Sequence, residues 1–185
     1  MGKERLGAFI DAVLAIIMTI LVLELEKPQE LSLAGFWELR ASFLAYAQSF
    51  FWLGAMWVNL HYISHRIEKV SQKTVWSTIV MLFFSSLFPY ATKLIAMDFM
   101  NSTVQAFYGI MVLLITFSVQ WHYQTLYEAN PNLLTSYNIR RQSWAHYDIG
   151  LKIIGLLLTI TIFPTVARLV VLITLLLLVI PNQLK

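Results

Sequence analysis

The chain has no cysteine among its 185 residues. Disulfides, thiolate metal sites and cysteine nucleophiles are therefore excluded, and the redox compartment is left open. Charge is scarce too. Asp, Glu, Lys and Arg make up 12% of the residues, about half of the ~25% usual in a soluble domain. The net charge of +3 is small and divided among loops, which does not suit a nucleic-acid-binding surface. The sequence is instead rich in apolar side chains, with 58% hydrophobic residues. A soluble core of this size needs far less, so the composition indicates an all-α integral membrane protein.

The apolar residues fall into six runs, each near the ~20 residues of a spanning helix. They extend from about Leu6 to Leu25, Phe36 to Ile63, Thr74 to Ala96, Val104 to Tyr127, Tyr147 to Phe163 and Val166 to Ile180. The last two form a hairpin hinged on Phe163-Pro164-Thr165. Pro28, Pro131 and Pro181 lie at run ends or in loops, where a missing N–H is harmless. Pro89 lies inside the third run and is expected to kink it. The whole chain, 1–185, reads as one six-span domain. Its first run is not a signal peptide in character: it is long, contains Asp11, and leads into Glu24 and Glu26 without a small-residue cleavage pattern.

Loop charge sets orientation. One side receives the N-terminus, the His65-Arg66 to Lys73 loop, an Arg140-Arg141 loop and Lys185. The other receives Glu24, Glu26, Lys27, Glu30, Glu38, Arg40, Lys93, Asp98 and Arg168. The first side is richer in Lys and Arg, so both termini are expected in the cytoplasm.

The first run carries the most information. Ile16, Ile20 and Leu23 recur at helical spacing. By pattern alone, such a stripe faces lipid or other helices. Lining a pore would require several copies around a shared axis, where stacked aliphatic rings gate by dewetting. Arg5 and Asp11 are costly near a bilayer. Six residues separate them, ~9 Å along a helix axis, so each needs a partner on another segment. The second run supplies Trp57, Asn59 and His61 near the same end, with Trp57 and His61 one turn apart. Such a set would clamp two helices together by satisfying buried polar groups. His122 and His146, each beside Trp or Tyr, read as residues of an interfacial aromatic belt. His61 and His65 are spaced i, i+4 without the acid of H-E-x-x-H, and no enzyme site is expected.

Arg5, Phe9 and Asp11, followed by Ala15-Ile16 and Thr19, resemble the first-helix signature R-x-x-x-F-S-D of the transmembrane protein 175 family of potassium channels, in its prokaryotic six-span form. Trp57, Asn59 and His61 are similar to that family's second-helix W-x-N-H-H pattern, with Leu60 at the first histidine. The sequence departs from the signature at Ile10, which stands where the family has serine.

The resemblance implies a homotetramer in a prokaryotic cell membrane, with a central pore lined by the first helices. Ile16, Ile20 and Leu23 would be its constriction, Thr19 a pore-lining hydroxyl, and Arg5, Asp11, Trp57, Asn59 and His61 an inter-helix polar network. Potassium would be the permeating ion, and the partners would be further copies of the chain, the lipid bilayer and monovalent cations. No cofactor, no other metal and no nucleic acid are implied. Neither a T-V-G-Y-G filter nor a voltage-sensor run of arginines occurs in the sequence. A hydrophobic ring that forces partial dehydration would give weak to moderate potassium selectivity. The alternative is a proton-coupled cation transporter using Asp11 and His61 as a relay, for which the chain offers neither an inverted repeat nor paired broken helices.

Overall fold

The computed structural model describes the backbone of residues 2–133 and 136–176, with side chains described for all of these except 133–144. Among the described residues the chain is helical and contains no strand. The helices are α1 (Lys3–Leu23), α2 (Leu33–Glu38), α3 (Arg40–Ser64), α4 (Gln72–Ser86), α5 (Phe88–Met97), α6 (Ser102–Ala129), α7 (Ser136–Thr161) and α8 (Val166–Thr174).

Local chemistry explains several boundaries. Asn101 caps α6 by accepting from the Thr103 and Val104 N–H groups at 3.0 and 3.3 Å. Ser71 caps α4 through the Thr74 N–H at 3.1 Å. Pro89 sits in the first turn of α5, where its missing N–H costs no bond. The expected kink is thus a helix break at Leu87, with α4 and α5 together forming one bent apolar element from Gln72 to Met97. The second apolar run is likewise two helices, broken at Leu39, because the short α2 is capped separately by Ser32. Gly35 lies so close to the Glu30 carbonyl that any Cβ there would overlap it.

α7 begins well before the fifth apolar run, so Arg140 and Arg141 lie on a helix and not in a loop. In α8 the helix is described to Thr174, and a π turn follows at residues 175–176. The end of the sixth run, Pro181 and Lys185 lie outside the described residues. Among the described residues, three elements are long and apolar enough to cross a membrane: Lys3–Leu23, Gln72–Met97 and Ser102–Ala129. With such helices the protein is an integral membrane protein.

α1 packs on α3, α4 and α5, while α6 packs on α4, α5, α7 and α8. Leu14, Leu53, Met81, Phe88, Ile95 and Ile115 are sealed in the core. In lipid, such a core is held by close packing more than by expulsion of water, and small residues let backbones approach. Gly155 of α7 illustrates this, since an added Cβ would lie 2.9 Å from a Val170 methyl on α8.

Polar side chains fasten the helices internally. Thr92 of α5 donates to Ser49 of α3 at 2.8 Å, and Ser49 shares a 3.2 Å hydrogen bond with Tyr108 of α6. Lys152 of α7 pairs with Asp148 at 2.6 Å, donates to Thr116 of α6 at 3.2 Å, and lies over the Trp52 ring of α3. At the far end of α6, Asn130 accepts from the Glu68 and Lys69 N–H groups and donates to the Lys69 carbonyl, which pins the α3–α4 loop.

Candidate functional site

α1 has two unlike faces. Leu6, Ile10, Leu14, Ile17 and Leu21, in steps of three and four residues, are buried against the neighbouring helices. Arg5, Phe9, Ala12, Ile16, Thr19 and Leu23 follow the same spacing on the other side, with Ile20 alongside, and all are uncovered. The contrast is sharp between adjacent residues: Ile16 is 58% exposed and Ile17 3%. Thr19 donates to the Ile16 carbonyl at 2.8 Å, so its oxygen keeps lone pairs on the uncovered face.

Three contacts between distant parts of the chain hold α1 in place. At its start, Lys3 donates to the Ile67 carbonyl at 3.3 Å. Further along, the Trp57 indole Nε1–H of α3 donates to Asp11 Oδ1 at 2.8 Å. At its end, Glu24 pairs with Lys93 of α5 at 2.8 Å. A charge-assisted bond such as Trp57–Asp11 is about twice as strong as a neutral one. It fixes both the rotation and the height of α1 against α3.

The polar set predicted around this contact is partly assembled. Asp11, Trp57 and His61 come together, the Trp57 and His61 rings stacking with centroids 5.2 Å apart. His65 extends the row, with its Nε2 3.0 Å from His61 Nε2. Arg5 lies exposed on the uncovered face of α1 and Asn59 is half-buried; neither joins the row. Ile10 stands on the buried face of α1, 3% exposed. The position where a serine was expected is thus filled by core packing, and the Asp11–Trp57 bond forms without a hydroxyl there.

Several residues of the site escaped sequence reasoning. Glu24 and Lys93 are far apart in the chain, and no local pattern pairs them. His65 was visible only as an i, i+4 neighbour of His61. His122 is buried, not interfacial: its Nδ1 lies 3.2 Å from both Ser77 Oγ and Thr78 Oγ1 on α4. Among the described residues no group of three or more His, Asp or Glu is placed to hold a metal ion.

A family model described as "Endosomal/lysosomal potassium channel TMEM175" matches residues 5–89, which contain nearly all of α1, the Asp11–Trp57 contact and the histidine row. A potassium channel of Chryseobacterium sp. (strain P1-3) is 42% identical over 110 residues, covering 60% of this chain and 57% of that protein. Over residues 5–89 the chain is similar to the TMEM175 family. A potassium channel of Streptomyces collinus is 27% identical over 129 residues, covering 64% of the chain and 63% of its own length. One from Chamaesiphon minutus is 33% identical over 101 residues, covering 50% and 48%. The matches thus span less than two thirds of these curated relatives, which are named as channels rather than enzymes. The TMEM175 fold extends further than the sequence likeness. The crystal structure of a lysosomal potassium-selective channel TMEM175 homolog from Chamaesiphon minutus superposes with a TM-score of 0.85, covering 97% of both chains at 21% identity.

Proposed function

We infer that the chain is one subunit of a potassium-permeable cation channel, a homotetramer of six-span, multi-pass subunits in a prokaryotic cell membrane with both termini in the cytoplasm. The observation that carries this reading is the uncovered stripe of α1. Arg5 and Thr19, two polar side chains, lie in line with Ile16 and Leu23 on a face that no other part of the subunit covers. Four such faces around one axis would give rings at Ile16, Ile20 and Leu23, spread over ~10 Å at 1.5 Å rise per residue. The names of the relatives from Chryseobacterium, Streptomyces and Chamaesiphon support potassium as the ion.

The mechanism follows from the ring chemistry. Aliphatic side chains offer no oxygen to replace water around an ion, so a narrow ring admits an ion only at the cost of part of its hydration shell. Potassium holds water less tightly than sodium and pays less, which yields weak to moderate selectivity. The Thr19 hydroxyl oxygen, between the first two rings, offers one polar contact to the partly stripped ion. The Asp11–Trp57 bond is a positioning contact: it sets the rotation of α1, and hence which side chains face the axis. Conduction is passive and insensitive to voltage, because no helix carries a ladder of arginines.

The transporter reading fares worse on geometry. Trp57 stands between Asp11 and His61, and an indole N–H donates but does not accept, so it cannot relay a proton. Purified protein in liposomes under opposed potassium and sodium gradients tests the channel reading. Wild type is expected to pass potassium without a proton gradient, and Ile16→Ala to conduct more with less selectivity. Currents from Ile16→Ala equal to wild type in both respects would contradict the assignment, and flux strictly dependent on a proton gradient would favour the relay.

A further inference from the structure

We propose that His61 and His65 form a binding site for a divalent transition-metal ion that takes imidazole in a tetragonal arrangement, copper(II) or nickel(II). The two histidines stand one turn apart near the C-terminal end of α3, and both are exposed. Their rings meet edge to face, with centroids 4.5 Å apart and the two Nε2 atoms 3.0 Å apart. A helix does not impose this convergence, since exposed side chains at i and i+4 are free to diverge. Here the stacking of His61 on Trp57, itself held by Asp11, fixes one of the two rings.

The separation selects the metal. Two nitrogens bound at about 2.05 Å lie about 2.9 Å apart at a right angle and about 3.35 Å apart at a tetrahedral one. The observed 3.0 Å is near the first spacing, the right-angle geometry that copper(II) and nickel(II) take. Two protein ligands leave the other positions to water, which the exposure of both rings permits.

Without metal, a single proton on one Nε2 bridges the rings. On binding, that ring changes tautomer: its Nε2 proton passes to solvent and its Nδ1 takes one up. Both Nε2 lone pairs are then free to bind the metal. The nearest cation along the chain, Arg66, is drawn aside, its guanidinium 4.1 Å from the Tyr62 ring centroid. The Asp11 carboxylate behind Trp57 adds a favourable field.

Titration of copper(II) into full-length protein in nanodiscs, prepared without a histidine tag and followed by calorimetry and electron paramagnetic resonance, tests the site. Wild type is expected to bind one copper per subunit at its tightest step, with hyperfine structure from two equivalent imidazoles. His65→Gln, at an exposed position, is expected to weaken that step at least tenfold while eluting as wild type does on gel filtration. Equal copper affinity in wild type and His65→Gln, or a tightest site with no imidazole coupling, would overturn the proposal. The binding measurement needs no ion flux, so it stands or fails separately from the channel reading.

Discussion

Leu14 and Ile16 are two residues apart on one helix and belong to different environments. Leu14 is fully buried among side chains of the same subunit, whereas Ile16 is uncovered. Truncating a buried leucine leaves a cavity and costs about 2–5 kcal/mol. Leu14→Ala should therefore lower the thermal unfolding midpoint in detergent markedly, and Ile16→Ala should barely move it. Equal losses of stability would mean that the two faces of α1 are not distinct within the folded subunit. Lys152 makes a second residue-scale prediction. It is 5% exposed, and removing it strands the Asp148 carboxylate, whose Oδ1 has no hydrogen-bond partner among the described residues. Breaking a buried pair by deleting one member costs about 3–5 kcal/mol, whereas replacing both by apolar groups is often neutral. Lys152→Met should be severely destabilised, and Lys152→Met combined with Asp148→Leu should recover most of the loss on a thermal melt. At this scale the sequence was legible where both partners carry a motif, even 46 residues apart. Asp11 and Trp57 carry a recognisable pattern, and their bond forms. His122 misled because its partners, Ser77 and Thr78, come from another helix and leave no trace beside it.

At the scale of elements, hydrophobic runs located the helices better than their ends. The run from about residue 74 to 96 is apolar throughout, yet the helix breaks at Leu87, because Pro89 cannot donate to the turn before it. The run starting near residue 147 understated α7, whose first turns are polar and helical all the same. Hydropathy registers where a helix meets apolar surroundings, and a helix that starts outside them is invisible to it. The α7–α8 hairpin rests on a close approach that composition does not reveal. Gly155→Val would force its side chain into Val170. Overpacking of this kind costs about 1–3 kcal/mol. The variant should melt earlier than wild type, and Gly155→Val with Val170→Ala should restore much of the midpoint. A melt unchanged in Gly155→Val would mean that the hairpin is not held by this contact.

At the scale of the whole molecule, the fold is that of a TMEM175 chain over nearly its full length, while the family model matches residues 5–89. The division has a physical sense. The matched residues 5–89 hold the helix proposed to line the pore and the side chains that orient it. The remaining helices are required only to pack, and many apolar sequences satisfy that demand. A face that meets further copies of the chain has no partner within one copy. The uncovered face of α1 is therefore the point on which the proposed function turns. The natural absence of cysteine gives a clean background for testing it. Leu23→Cys places a thiol on the uncovered face near the end of α1, and Leu21→Cys places one on the buried face. The deciding measurement is potassium flux from liposomes before and after treatment with a water-borne, positively charged methanethiosulfonate reagent. Flux through Leu23→Cys should fall severalfold while flux through Leu21→Cys stays unchanged; undiminished flux through fully labelled Leu23→Cys would contradict a pore lined by α1.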